Sequence, residues 1–126
     1  MAMKVRSYRE LIAWQKAMDF VGLVYDAAKK FPREELYCLS AQIRKAAVSI
    51  PSNIAEGQGR QSTAEFLNFL SIAHGSLCEV ETQTLLDQRF GYIDEAETSQ
   101  VLNLGSEVGR LINGLANSLR AVNSGQ

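Results

Sequence analysis

Long apolar runs are absent from this sequence. No stretch of about 18 apolar residues occurs, which argues against a membrane-spanning helix. The first ten residues, MAMKVRSYRE, have no apolar segment of the kind that a signal peptide needs. With 126 residues, 46% hydrophobic and 21% charged, the composition is that of one ordinary folded domain. We therefore expect a cytoplasmic protein with no membrane partner.

Residues that commonly carry chemistry are also scarce. The two cysteines, Cys38 and Cys78, match no metal or redox spacing, so we expect two small, mostly buried thiols. His74 is the only histidine, and Ser71 stands where a Glu-x-x-His metal motif would need an acid. The sequence therefore predicts no metal, no cofactor and no small-molecule substrate.

Two short patterns resemble catalytic or phosphate-binding motifs but do not complete them. His74 near Ser76 could be imagined as a base beside a nucleophile, yet a helix offers no nucleophile elbow and no evident oxyanion site. The Gly57-Gln58-Gly59 sequence follows a helix instead of a strand and lacks the Gly-Lys-Ser/Thr ending of a phosphate loop. We expect a protein that is not an enzyme and has no catalytic residues.

A strong excess of positive charge is missing too. The net charge is −1, although residues 1–63 hold ten Lys/Arg against six Asp/Glu and residues 64–126 hold three against eight. A dedicated nucleic-acid binder usually shows a clear basic excess. Any basic surface must therefore come from the first half of the chain. The candidate basic surface is Lys4, Arg6, Arg9 and Lys45.

What the sequence does contain is helical periodicity, since apolar residues recur at three- and four-residue steps in four segments. The predicted helices span roughly 8–30, 34–57, 63–90 and 94–121, with a frayed tail over 122–126. Capping pairs begin three of them, namely Ser7 with Glu10, Ser62 with Glu65, and Asp94 with Glu97. Long helices with short connections predict an all-α fold, an up-down-up-down antiparallel four-helix bundle forming a single domain.

Two of the predicted helices carry more apolar residues than one core face needs. The core stripe of the first helix is predicted to be Leu11, Trp14, Met18, Val21, Tyr25 and Ala28. The additional apolar residues are Tyr8, Ile12 and Phe20 in helix one, and Leu67, Ile72 and Leu86 in helix three. Because a bundle hides one stripe per helix, these extra sets indicate either a broad core face or a subunit interface.

The stretch from Gln42 to Arg60, QIRKAAVSIPSNIAEGQGR, combines a helical pattern with a helix breaker. Pro51 lies in the middle of the pattern, where proline removes one backbone hydrogen bond and costs about 3 kcal/mol. The apolar rhythm resumes at Ile54, so we predict one helix with a kink at the proline. Gly57 and Gly59 are predicted to end it, since glycine accepts the left-handed geometry of a helix C-terminus.

A glycine also interrupts the third predicted helix, at Gly75-Ser76. Close approach of another backbone would explain it, because glycine costs a helix roughly 1 kcal/mol against alanine. If helices two and three form a hairpin, paired positions add to about 122, which places Gly75 and Ser76 within a turn of Ser49. Gly75→Leu is then expected to be more damaging than any surface change.

Polar residues on helices two and three form the candidate site. The set comprises Gln42, Arg44, Asn53, Glu56, Arg60, Asn68 and Glu79. One interpretation is a partly buried hydrogen-bonded network with an Arg44–Glu79 link that fixes helix register. The other is a contact surface for RNA or a protein partner.

Several segments resemble one bacterial family. They are RELIAWQKAMDF, FPREELYCLSAQIR, QIRKAAVSIPSNIAEGQGR and FLSIAHGSLCEVETQ, which together span roughly Tyr8 to Tyr92. The chain resembles the four-helix-bundle family encoded in intervening sequences of 23S ribosomal RNA genes. Cys38 stands where that family usually has glycine or another small residue.

The resemblance implies a homo-oligomer, with five subunits as the expected number, and a link to ribosomal RNA or other nucleic acid. A related branch, the accessory proteins of diversity-generating retroelements, forms a basic pentameric barrel that associates with nucleic acid. Two functions are therefore predicted as alternatives. The first is a non-catalytic oligomer that binds ribosomal RNA or other nucleic acid, and the second is a protein-interaction scaffold that binds none.

Overall fold

The structure, a computed structural model, describes residues 7–124, with side chains described over 7–122. The all-α prediction of four helices is confirmed, and the described part of the chain contains no strand. The helices are α1 (Ile12–Ala28), α2 (Leu39–Gln58), α3 (Thr63–Arg89) and α4 (Glu95–Ser124). Two short 3-10 helices, Tyr8–Glu10 and Arg33–Glu35, precede α1 and α2.

Each helix packs against two others in the order α1, α2, α3, α4 and back to α1, and the α2–α3 contact is the most extensive. α2 runs antiparallel to α3, because Ser49 contacts Ser76 while Gln42 contacts Gln83. The residue numbers add to 125 in both pairs, against the predicted value of about 122. The hairpin prediction is therefore off by less than one helical turn.

Two of the helices begin later than predicted. Leu11 is extended (ψ 124°), so residues 8–10 form a separate 3-10 turn that Ser7 caps through the Arg9 amide. Pro32 is also extended (ψ 153°), and α2 begins only at Leu39. The physical cause at the second site is a side-chain cap, since a Glu35 carboxylate oxygen accepts a hydrogen bond from the Leu39 amide at 3.4 Å.

The other two capping pairs form as predicted. Ser62 Oγ accepts from the Glu65 amide at 3.1 Å and starts α3. At α4 the pair is reciprocal: the Glu97 amide donates to Asp94 and the Asp94 amide donates to Glu97. α4 continues through residues 122–124, which were predicted to be frayed, and residues 125–126 lie outside the described part.

The core face of α1 differs from its predicted stripe. The buried residues are Ala13, Ala17, Phe20, Val24, Ala27 and Ala28, whereas Met18 and Tyr25 are exposed. Small residues at Ala13 and Ala17 let the neighbouring helices approach closely, so the larger side chains turn outward. Phe20, predicted to belong to the extra set, is completely buried in the core.

Pro51 is buried within α2, and the helix continues across it. The kink itself stays a prediction. The predicted end at Gly59 is confirmed, since Gly59 caps the helix, but its geometry is right-handed (φ −77°) and Gly57 lies inside the helix, so those parts of the prediction are wrong. The one positive φ in the described part of the chain belongs to Gly91, in the turn between α3 and α4.

Close approach occurs at other glycines than Gly75. A Cβ added at Gly75 would meet nothing within 4 Å, so the predicted crowding there is wrong. A Cβ at Gly57 would lie 2.8 Å from Phe69 Cβ and 2.9 Å from a Phe66 ring carbon. The tight α2–α3 contact therefore lies near the hairpin tip.

Candidate functional site

An apolar groove runs between the outer edges of α1 and α2. Its volume is about 350 Å³. The lining is Tyr8, Trp14, Met18, Val21, Val48, Pro51, Ser52 and Ala55. Met18 and Val48 are 46% and 41% exposed, and Ile12 farther along α1 is 59% exposed. We call this surface the α1–α2 face.

Exposed large apolar side chains are unevenly distributed around the bundle. Among the described side chains they lie on α1, α2, α3 and the adjoining turns, and none lies on α4. On α3 they are Ile72, Leu85 and Leu86, followed by Phe90 at its end. Groups of exposed large apolar side chains on a small bundle are typical of interaction surfaces.

Three of the seven residues in the predicted polar set, Gln42, Asn53 and Glu79, lie along the groove between α2 and α3. Gln83 is buried, and its amide nitrogen lies 3.5 Å from the Gln42 oxygen and 3.3 Å from a Glu79 oxygen. Farther along the same groove, Ser49 and Ser76 share a hydrogen bond of 2.8 Å. The Asn53 amide donates to Ser49 Oγ at 2.9 Å and to the Ser49 carbonyl at 2.7 Å. This arrangement supports the structural interpretation of Gln42, Asn53 and Glu79.

The remaining members of the set lie elsewhere. Arg44 is not linked to Glu79 within the described residues; its guanidinium lies over the Tyr25 ring, 5.8 Å from the centroid. Arg60 pairs with Glu56 at 2.9 Å and lies over Phe69. Asn68 is exposed. The predicted Arg44–Glu79 link is wrong because Arg44 points across to α1.

Some of the Lys and Arg side chains in the first half of the chain are paired with carboxylates. Lys16, Lys29, Lys30 and Arg60 are paired with carboxylates. Of the candidate basic surface, Arg9 lies over the Tyr8 ring and Lys45 is exposed, and neither has a carboxylate within 4.0 Å among the described residues. Lys4 and Arg6 lie outside the described residues. The cations left for a partner therefore include Arg9 and Arg44, which lie over the Tyr8 and Tyr25 rings, and Lys45, which lies on α2 beside the α2–α3 groove.

The sequence prediction missed a buried acid at the end of α3. Asp87 is completely buried, and neither carboxylate oxygen has a hydrogen-bond partner in the described part of the chain. Burial, and secondarily the charge of Glu35, raises the pKa of Asp87 from 3.8 to about 7. The sequence signal was its spacing, since Asp87 continues the stripe of Leu77, Val80 and Thr84.

Glu35 connects this acid to the turn before α4. Its second carboxylate oxygen accepts a hydrogen bond from the Tyr92 hydroxyl at 2.8 Å. That bond, together with burial and nearby acids, raises the pKa of Tyr92 above its ordinary value. Tyr92 also stacks at a tilt between Phe31 and Phe90, with ring centroids 5.6 and 5.7 Å away.

Both cysteines are exposed, so the prediction of buried thiols is wrong. Cys38 lies in the turn before α2, and Cys78 lies on the outer surface of α3 with Sγ 3.9 Å from His74 Nδ1. Within residues 7–124, no group of three or more His, Cys, Asp or Glu side chains is placed to hold a metal ion. In the same residues, no helix is both long and apolar enough to cross a membrane.

The fold is an all-α bundle of four helices, and comparison with known proteins gives its family. The chain matches the 23S rRNA-intervening sequence protein family over residues 9–114, and it belongs to that family. The match covers all four helices, though it ends before the last part of α4.

A solved structure shares this fold. It is a protein of unknown function from the S23 ribosomal protein family of Bacteroides thetaiotaomicron, with a TM-score of 0.77 and 27% sequence identity. The alignment covers 83% of the present chain and 98% of the other. No curated protein matches the chain.

Proposed function

We propose that this protein is a non-catalytic, cytoplasmic homo-oligomer that binds ribosomal RNA or another structured nucleic acid. The observation that carries the proposal is the α1–α2 face, where large apolar side chains remain exposed near Arg9 and Arg44, two cations with no carboxylate within 4.0 Å among the described residues. A second copy would cover the apolar part of this face. The ribosomal RNA connection rests on the family to which the chain belongs.

The distribution of exposed large apolar side chains favours self-association through two unlike surfaces. The α1–α2 face of one subunit has a second apolar surface to meet, the outer residues of α3 that include Ile72 and Leu86. Two different patches on one subunit give a heterologous interface, which closes into a ring when the rotation allows it. A ring of five is the number implied by the sequence resemblance.

A ring would also concentrate positive charge that a single chain lacks. A single chain of net charge −1 offers little attraction to phosphates. Repetition around an axis would bring Arg9, Arg44 and Lys45 of several subunits onto one surface, and clustered charge raises the local potential. RNA affinity is therefore expected to depend on assembly.

Met18→Glu is expected to reduce the particle mass to that of a monomer. It places a charge in the middle of the apolar groove, where a neighbouring subunit would have to desolvate it. Light scattering at about 10 µM protein measures the mass, and a pairwise affinity loss of at least tenfold is expected from a buried, unpaired carboxylate. Asn103→Glu, on the exposed side of α4, is the matched control and should leave the mass unchanged. A wild-type protein that is already monomeric would contradict the oligomer.

The double variant Arg44→Ala/Lys45→Ala is expected to weaken RNA binding by at least tenfold at 50 mM salt and to reduce its salt dependence. Each phosphate contact that is lost removes one released counterion from the binding equilibrium. Fluorescence anisotropy with a labelled structured RNA at 50 and 200 mM salt gives both quantities. Arg110→Ala/Arg120→Ala on α4 removes the same charge and should have little effect.

The alternative function is a protein-interaction scaffold that binds no nucleic acid. It is favoured by one observation, the pairing of four described cations with carboxylates. Absence of RNA binding at about 50 mM salt, with the oligomer intact, would favour the scaffold.

A further inference from the structure

The end of the bundle that carries Asp87 contains an unusual polar arrangement in an apolar setting. Asp87 has 0% of its surface exposed, and neither of its oxygens has a partner in the described part of the chain. An ionised carboxylate in such a place costs several kcal/mol, so the closed structure favours the neutral acid. The Asp87 carbonyl accepts a hydrogen bond from the Tyr92 amide at 2.9 Å, and Glu35, in the segment that joins α1 to α2, is near enough for its charge to raise the pKa of Asp87.

Glu35 in that segment holds its own position by two hydrogen bonds. One carboxylate oxygen accepts from the Leu39 amide and the other from the Tyr92 hydroxyl. Both carboxylate oxygens of Glu35 therefore have donors, whereas neither oxygen of Asp87 has one among the described residues. Because Asp87 is buried without donors, its neutral form is the favoured one in the closed structure.

The charged and titratable groups around the pair give no compensating cation. Besides Glu35, the connecting segment contributes Glu34, and the turn before α4 contributes Tyr92. Lys30, at the end of α1, is paired with Glu97 of α4. Among the described residues no Lys or Arg, including Arg33 and Arg89, lies within 4.0 Å of the Asp87 carboxyl.

The connecting segment itself is weakly anchored. None of residues 32–38 is buried, and Tyr37 is 89% exposed. The segment's hydrogen bonds to the rest of the bundle are few: Glu35 accepts from the Leu39 amide and the Tyr92 hydroxyl, and the Cys38 carbonyl accepts from the Gln42 amide. Segments with few buried contacts are the ones that open locally at low free-energy cost.

We propose that Asp87 and Glu35 form a pH-sensitive latch, in which protonated Asp87 keeps residues 32–38 closed against Tyr92, in the turn that follows α3, and loss of the proton releases them. Ionised Asp87 would repel the neighbouring carboxylate of Glu35. Opening admits water to both carboxylates and breaks the Glu35–Tyr92 hydrogen bond. The inference does not depend on RNA binding or on the oligomer.

The direction of the pH response follows from linkage. The pKa of Asp87 is raised in the closed state to about 7 from an ordinary value of 3.8, so the closed state binds the proton more tightly than the open one. Closure is favoured at low pH and is lost as the pH rises through 7. Between pH 6 and 8.5 these pKa values correspond to an increase in the open population of about tenfold.

Hydrogen exchange of the amides in residues 32–40 tests the latch, with rates corrected for intrinsic chemistry at each pH. In the wild-type protein the opening equilibrium should rise about tenfold from pH 6 to 8.5. Asp87→Asn should remove this rise, whereas the exposed control Asp19→Asn should retain it. A rise of equal size in Asp87→Asn, or no rise in the wild type, would overturn the proposal.

Tyr92→Phe separates the hydrogen bond from the charge. It keeps both carboxylates but removes the donor to Glu35, so exchange of the segment should be faster at pH 6 and should still increase with pH. Unchanged exchange in Tyr92→Phe at both pH values would show that the Glu35–Tyr92 bond does not hold the segment and would overturn the latch.

Discussion

Asp87→Asn is expected to stabilise the protein above neutral pH and to leave its stability nearly unchanged near pH 4. The Asp87 pKa is about 7 in the folded protein, against an ordinary value of 3.8. Because the folded pKa is the higher one, the wild type has no penalty below the unfolded value and acquires the full penalty above the folded value. Asparagine has nearly the same shape and carries no charge at any pH.

The expected gain at pH 8 is up to about 4 kcal/mol, since each pKa unit corresponds to roughly 1.4 kcal/mol. Urea unfolding of the two proteins at pH 4.5, 6 and 8 measures the difference. The difference should grow between pH 4.5 and 8, with most of the increase below pH 7. A constant difference across this range would show that Asp87 is already ionised in the folded protein.

Gly57→Leu is expected to be among the most damaging single substitutions in α2, at about 3 kcal/mol or more. Even a Cβ at this position would lie 2.8 Å from Phe69 Cβ, and the Phe66 backbone carbonyl lies 3.4 Å away. Phe66 is buried on α3, so the two helices would have to separate near their connection. The measurement is the free energy of unfolding or the melting temperature.

Gly75→Leu is the matched control, because it makes the same change on the neighbouring helix at an open, exposed position. Leucine has the higher helix propensity, so this variant should be neutral or more stable by up to about 1 kcal/mol. Gly57→Ala offers a milder substitution if Gly57→Leu does not fold. Equal effects at the two glycines would contradict the close contact of α2 with α3.

The fold was largely predictable because helical signals in this chain are local. The capping pairs Ser62–Glu65 and Asp94–Glu97 start α3 and α4 where the sequence placed them. The start of α2 was not predictable in the same way, since Glu35 resembles a first-turn acid but caps the helix from outside. Only its bond to Tyr92, 57 residues away in sequence, fixes that geometry.

The core face of α1 shows why residue size misled the prediction. Large apolar residues such as Trp14, Met18 and Tyr25 give the stronger stripe, but alanines form much of the buried one. Closely packed helices require small residues where they meet. A prediction from hydrophobic periodicity gives these small residues too little weight. Of the large residues that remain outside the core, Trp14 and Met18 line the α1–α2 face.

The candidate site was predictable only in part. Ser49 and Ser76 meet as expected, because a two-helix hairpin fixes their register, whereas the bond of Asn53 to Ser49, one turn away on α2, was not predicted. Arg44 could not be placed, since its long side chain reaches Tyr25 on α1 instead of Glu79 on α3. Asp87 was missed because an acid at a core position is indistinguishable from a surface acid until its neighbours are known.

RNA binding by Met18→Glu tests the central claim most directly, because this variant keeps every cation but is expected to lose assembly. Fluorescence anisotropy at 50 mM salt should show at least tenfold weaker binding than the wild type. Asn103→Glu carries the same added charge on α4 and should bind as the wild type does. If Met18→Glu is monomeric and yet binds RNA with wild-type affinity, the RNA surface is not formed by assembly, and the account is contradicted.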